Sequence, residues 1–303
     1  MKVVISGIFY PMTMMEYFIR AFDRREDVEL FLVGPYTETW IPWAGGMNLP
    51  AKYVRTPDLA LPKNTINMHL HPQMIIDKLP WTPDLWVQID AGWSFSDRPP
   101  GEIIVHVQTD PHVLKARYVL PKSYSDVNFC MQTPYMEAGE EYLAYAYDPY
   151  LHFPETVAKE YDACLIGLMY DHRTMLINCL KGKGYNVHYS IGEILDDNRR
   201  RYSKSKLALS WSSLRDTPTR VFEAFGMGLP LVANRTPDLA NMFIEDVHYL
   251  GFDDVTEGVE KVEWALSNPD DAMDMAYDAH QIAKAKHTWD HRVKEIITYV
   301  GLI

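Results

Sequence analysis

The stretch from Arg215 to Ala233, Arg-Asp-Thr-Pro-Thr-Arg-Val-Phe-Glu-Ala-Phe-Gly-Met-Gly-Leu-Pro-Leu-Val-Ala, constrains this chain more than any other. It reads as loop, short helix, Gly turn and buried strand. Asp216, Thr217 and Thr219 are residue types that start helices, and Pro218 suits a first turn, where its missing N–H has no partner to lose. Val221, Phe222, Ala224 and Phe225 form an apolar helical face, with Glu223 the one charge set within it. Gly226 and Gly228 suit the left-handed end of a helix, and Leu229 to Ala233 reads as a buried strand. Free N–H groups at such a helix start, flanked by Arg215 and Arg220, make an anion site. Glu223 alone fits two roles, a partly exposed helix charge or a ligand group.

The same strand–turn–helix grammar recurs along the chain. Lys2 to Ser6 predicts a buried parallel strand, followed by Gly7, a helix from about Met12 to Asp23 and a strand from Val28 to Val33. This opens a doubly wound sheet, whose ligands sit beyond the C-terminal strand ends, where Gly7 lies. No Gly-x-Gly-x-x-Gly follows the strand, which weighs against NAD. Tyr36 to Pro62 is a long aperiodic loop in which Trp40, Trp43 and Gly45-Gly46 are either an acceptor platform or a pinned surface loop. His69 and His71 have no acidic or Cys partner nearby and read as structural. Strands at Leu85–Ile89 and Ile103–Val107 deliver Asp90 and Asp110 to one crevice. His112, at the start of the next helix, is a general-base or oxyanion-partner candidate, and Asp110 is either a site residue or that helix's cap. Further strands are expected at Asp126–Gln132 and Tyr142–Tyr147.

In the second half, a strand from Tyr161 ends in Gly167, and Arg173 opens a helix running to about Lys183. Glycine at the strand end and arginine at the helix start suit a diphosphate, because amides, helix dipole and guanidinium point one way. An ordinary surface charge is the other reading of Arg173. Tyr185–Tyr189 leads to Ser190 at the sheet edge. A helix at Ile194–Ser203, strands at Lys206–Leu209 and Val247–Gly251, and helices at about Val255–Ser267 and Asp270–Lys286 complete the pattern.

The 303 residues suit about two domains. A net charge of −12 weighs against nonspecific binding to nucleic acid or an anionic membrane, although Arg199-Arg200-Arg201 is a local basic cluster. Cys130, Cys164 and Cys179 are odd in number, widely spaced and in apolar settings, so reduced core thiols and a cytoplasmic location are expected. No apolar run reaches the ~20 residues of a membrane span, and the N-terminus lacks signal-peptide character.

The segment Thr-Arg-Val-Phe-Glu-Ala-Phe-Gly-Met-Gly-Leu-Pro-Leu-Val resembles the donor-binding segment of group 1 glycosyltransferases of the GT-B fold, most closely those related to the spore maturation protein CgeB. The likeness extends over roughly Asp148 to Val300, including Asp148-Pro149 and His287-Thr288-Trp289-Asp290-His291-Arg292, and Asp110-Pro111 matches the first half. It implies an α/β protein of two Rossmann-like, doubly wound domains facing a cleft. Residues 1–150 would form the acceptor domain and 151–287 the nucleotide-sugar domain, with a final helix, 288–303, crossing back to the first. By position, Glu223 would bind the donor ribose. Amides from Asp216 through Thr217 to Thr219, with Arg173, Arg215, Arg220, Gly167 and Ser190, would line the rest of the donor site. Asp110 and His112 would face the acceptor or the transferred sugar. Many retaining relatives have a second Glu eight positions before the first; Arg215 stands there in this chain. The implied donor is a UDP- or GDP-sugar with no metal required, and the acceptor is a small molecule, a glycan or a modified DNA base. A sugar-nucleotide epimerase and a non-catalytic nucleotide-sugar binding protein remain alternatives. His287 and His291, four apart on a helix, have no third zinc ligand in view and read as packing residues.

Overall fold

The computed structural model describes residues 1–41 and 47–302. The chain divides into two compact units, one of Met1–Leu143 with Arg292–Ile303, the other of Ala144–His291. Trp43, Gly45 and Gly46 of the suggested acceptor platform lie outside the described residues; Trp40 is described and exposed.

The first unit contains β1 (Lys2–Ser6), α1 (Met15–Asp23), β2 (Glu29–Pro35), β3 (Leu59–Leu61), β4 (His69–Leu70), α2 (Gln73–Ile76), β5 (Leu85–Ile89), β6 (Ser94–Phe95), β7 (Ile103–Gln108), α3 (Pro111–Tyr124), β8 (Val127–Cys130) and β9 (Glu141–Tyr142). Seven strands form one parallel sheet in the order β3-β2-β1-β5-β7-β8-β9, and β4 pairs with β6 separately. Every residue of β5 is buried, which is why its sequence is apolar rather than alternating. Its one amide, Gln88, donates to Trp93 O at 2.9 Å and accepts from Tyr124 Oη at 2.7 Å, so no polar group is stranded. Val4, Val33, Trp86, Phe95 and Ile104 form the core. The expected strand Tyr142–Tyr147 shrinks to β9; beyond it, Tyr147 makes a parallel bridge to Thr288 instead.

The second unit contains β10 (Tyr161–Ile166), α4 (Asp171–Gly182), β11 (Val187–Ser190), α5 (Asp196–Ser203), β12 (Ser205–Ser210), α6 (Thr219–Gly226), β13 (Leu231–Asn234), α7 (Pro237–Met242), β14 (Leu250–Phe252), α8 (Val255–Ser267) and α9 (Pro269–Lys286). The last helix, α10 (Trp289–Tyr299), starts here, and its residues from Arg292 belong to the first unit. The five strands are parallel in the order β11-β10-β12-β13-β14, with Leu165, Leu209, Val232, Phe252 and Val262 at the core. The two arms of this sheet diverge on either side of β10 and β12, which puts the topological switch point at the end of β10.

Three local expectations change. Gly228 takes the left-handed conformation (φ 65°), but Gly226 stays helical, where a Cβ would meet the Tyr147 ring at 2.3 Å. Close packing, not backbone freedom, accounts for glycine there. Pro218 takes the N-cap position of α6 rather than its first turn. Cys130 and Cys164 are buried, whereas Cys179 is exposed on α4, so it is no core thiol.

Candidate functional site

At the end of β10, Gly167 has φ 156° and lies beneath two guanidinium groups. A Cβ at this position would meet Arg220 Nη2 at 3.1 Å and Arg173 Nη1 at 3.3 Å. Arg173, on α4, is 2 % exposed. Its Nε donates to Trp211 O at 2.6 Å and its Nη1 to Leu168 O at 2.8 Å, while the group lies 4.7 Å above the Tyr170 ring. These bonds tie the β10–α4 loop to the end of β12. Burial and the neighbouring Arg220 pull the Arg173 guanidinium down to about 10. Arg220, on the first turn of α6, has a buried Nη1 with no hydrogen-bond partner. Among the described residues, no carboxylate pairs with either group within 4.0 Å. Two adjacent like charges at a strand end, with the first N–H groups of α6 lacking intrahelical acceptors, form a site that favours an anion.

The other expected donor residues fall around this point. Gly167 N donates to Ser190 O at 2.9 Å, so Ser190 is its neighbour on β11. The Ser190 hydroxyl donates to Glu193, which also meets His188 and Arg201. Asp216 accepts from Leu214 N at 3.0 Å and Ser213 Oγ at 3.3 Å, so its side chain shapes the loop rather than capping α6. Thr217 Oγ1 meets Thr236 Oγ1 at 2.5 Å, and Thr219 Oγ1 donates to Ala146 O at 2.9 Å. The Thr219 hydroxyl therefore fixes backbone, and the Thr217 hydroxyl ties its loop to Thr236. Arg215 is exposed in the same loop. Glu223 is 4 % exposed on α6, and its Oε1 lies 3.7 Å from Nε2 of the fully buried His152.

In the first unit, the ends of β5 and β7 bring Asp90 and Asp110 together beside Tyr118. The Tyr118 hydroxyl donates to Asp90 Oδ1 and accepts from Asp110 N at 3.1 Å. Asp110 occupies the N-cap position of α3 but makes no side-chain capping bond, which removes the capping reading. Asp90 has φ 63°, a conformation that Asp and Asn tolerate better than other side chains. Desolvation and the Asp110 carboxylate push Asp90 up to about 7. Ile8, Tyr10, Thr13, Asp90, Thr109 and Asp110 line a cavity of about 30 Å³. His112 is half-buried on the first turn of α3, 5.5 Å from the Tyr135 ring. Gly7 is packed: a Cβ would meet Met15 Sδ at 2.7 Å, and Trp93 Nε1 donates to its carbonyl at 3.0 Å.

Sequence reasoning did not single out His152, which the structure places beside Glu223, or Tyr118, which it places between Asp90 and Asp110. Tyr118 carried no local signal, whereas the Asp148-Pro149 turn ahead of His152 was visible. Neither candidate metal pair gathers ligands among the described residues. His69 Nδ1 lies 2.6 Å from Ser94 Oγ and His71 Nδ1 accepts from Gln73 N, while His287 packs on Phe222 and Phe243 and His291 on Thr288.

Residues 156–298 match the protein-family model described as glycosyl transferase-like. Over the whole chain the fold is similar to that of many solved structures, among them three glycosyltransferase-type proteins. Anabaena HepE in complex with UDP-glucose is 10% identical, with 100% of both chains covered and a TM-score of 0.67. Sucrose-phosphate synthase from Thermosynechococcus elongatus is 10% identical, covering 99% of this chain and 98% of that one, with a TM-score of 0.61. A glycosyltransferase from Rickettsia africae is 9% identical, covering 98% and 97%, with a TM-score of 0.61. No curated protein matches this chain. The fold is α/β and of the GT-B class, with two Rossmann-like units in one chain.

Proposed function

We propose that this protein is a metal-independent glycosyltransferase that moves a hexose from a nucleotide-sugar donor to an acceptor hydroxyl, in the manner of the CgeB-like group 1 enzymes, in the cytoplasm. The observation that carries this reading is the pair of guanidinium groups over Gly167, neither of which is paired within 4.0 Å with a carboxylate of the described residues. The family match over residues 156–298 and the UDP-glucose held by HepE support the same donor class.

In this reading Arg173, Arg220 and the α6 amides hold the diphosphate and stabilise it as it leaves. Arg215 and the loop residues Asp216 and Thr217 flank the sugar, Glu223 binds ribose, and the backbone around Ser190 borders the base. In the first unit, Asp110 and His112 act on the acceptor hydroxyl. As the acceptor oxygen bonds to the sugar's anomeric carbon, its proton passes to one of these groups and the bond to the diphosphate breaks.

A thermal-shift screen against UDP- and GDP-sugars, free nucleotides and NAD tests this directly. A native-state ligand at ~100 times its dissociation constant adds about 2.7 kcal/mol, a rise of a few degrees. A rise with one nucleotide family identifies the donor base; none with any sinks the reading. Product analysis then separates the chemistry. Conversion of donor alone indicates an epimerase, transfer requires an acceptor, hydroxymethylated DNA included, and neither indicates a binding protein.

A further inference from the structure

Residues 146–152 are fastened along one stripe of α6. Thr219 Oγ1 donates to Ala146 O, Glu223 Oε1 lies 3.7 Å from His152 Nε2, and Gly226 admits the Tyr147 ring. Positions 219, 223 and 226 follow the i, i+4, i+7 spacing that lines up one side of a helix. His152 is held there by a turn built on Asp148. The Asp148 carboxylate accepts from Tyr150 N at 2.9 Å, and its carbonyl accepts from Leu151 N at 3.0 Å and His152 N at 2.8 Å. Asp148 and His152 are both 0 % exposed, so imidazole and turn have little freedom to shift.

The Glu223 carboxylate is thus almost dry, and the base of a fully buried imidazole faces one of its oxygens. A contact of 3.7 Å is too long for a hydrogen bond, so its effect is electrostatic and steric, on where the carboxylate points. On the helix surface Glu223 neighbours Arg220, three residues earlier, whose guanidinium reaches Gly167.

We infer that His152 is a positioning residue, which holds the Glu223 carboxylate in the orientation that reads the ribose hydroxyls of the donor. This rests on the donor reading given above. Discrimination between a ribose and a ribose without hydroxyls depends on a carboxylate fixed in place, because a free one rotates away and re-solvates. His152 supplies that restraint without touching the nucleotide.

The test measures affinities of the whole protein for UDP and 2′,3′-dideoxy-UDP, and for the corresponding guanosine pair, by titration calorimetry. The wild type should prefer the ribonucleotide about tenfold or more, the scale of a hydrogen bond to a charged group. Glu223→Ala should abolish the preference. His152→Asn, too short to reach the carboxylate, should reduce it to within a few-fold, whereas His152→Gln, which spans the gap, should restore most of it. A general loss of structure would weaken both nucleotides alike and leave the ratio unchanged. Wild-type ratios in both His152 variants, with Glu223→Ala losing the preference, would overturn the positioning role and leave the donor reading intact. A wild-type ratio in Glu223→Ala, or no nucleotide binding by the wild type, would overturn the donor reading itself.

Discussion

Arg173 and Arg220 bring their guanidinium groups to the same glycine, within 3.3 Å of where a Gly167 side chain would begin, yet their surroundings differ. Arg173 spends two donors on the carbonyls of Leu168 and Trp211, whereas Arg220 has a buried nitrogen with no hydrogen-bond partner. Arg173 chiefly ties the loops together, and in the proposed donor reading Arg220 is the group that meets the ligand.

This difference separates the two substitutions. Arg220→Met should weaken nucleotide-diphosphate binding about tenfold or more while leaving Tm unchanged or slightly raised, since it removes one of two adjacent like charges. Arg173→Met should lower Tm, because two carbonyls lose their donors at about 1–3 kcal/mol each. Calorimetric affinity and a melting curve on each variant decide it; equal effects on both quantities would contradict the division of roles.

Gly167→Ala should act on both arginines at once. The new methyl group would crowd two guanidinium ends in a backbone conformation that suits glycine. Nucleotide affinity should fall more than in Arg220→Met alone, and an unchanged affinity would show that the pair does not face the ligand.

In the first unit, burial shifts Asp90 and His106 in opposite directions. Asp90 is pushed from 3.8 up to about 7 by desolvation and Asp110, so the native state binds more protons than the unfolded chain between those values. Its contribution to stability is present below pH 3.8 and is lost as pH rises toward 7. His106, buried in β7 with its ring 5.2 Å from that of Tyr118, is pulled from 6.5 to about 4 by burial. Here the unfolded chain binds more protons, so stability is gained as pH rises from 4 to 6.5. The two trends oppose each other in the wild type. Asp90→Asn, which tolerates the left-handed backbone, should leave a Tm that climbs by a few degrees across pH 4 to 6.5, and His106→Leu one that falls. Variants that track the wild-type pH profile would contradict both assignments.

Gly226→Ala should destabilise the second unit by about 1–3 kcal/mol through overpacking against Tyr147. Adding Tyr147→Leu should recover part of that loss, giving a non-additive double-mutant cycle in urea unfolding. Additive effects would place the strain elsewhere.

His112→Ala should lower kcat while leaving donor affinity nearly intact, consistent with an acceptor-side role. An equal loss of donor affinity would move His112 to the donor.

Much of the second unit was legible because its signals are local. The apolar run ending in Gly167, the arginine soon after it, and the Thr219–Gly226 helix followed by the Gly228 turn are each set by a few neighbouring residues. Asp110 and Asp90 were also legible as strand-end residues, since each follows a buried parallel strand. The roles of Gly7 and Gly226 were harder to read, because glycine is chosen equally for backbone freedom and for close approach, and only the neighbouring atoms distinguish the two. Cys179 was misread because an apolar setting along the chain does not say which face of a helix meets solvent.

By itself, then, the sequence determined where strands, turns and helix starts fall and which charges stand at strand ends, since periodicity, glycine and capping residues act over a few positions. Only the tertiary structure decided that Arg220 reaches Arg173, that His152 faces Glu223, and that Tyr118 bridges Asp90 and Asp110. Most of these partners are distant in the chain, and their contacts arise from how helices pack on their sheets, which side-chain pattern alone leaves open.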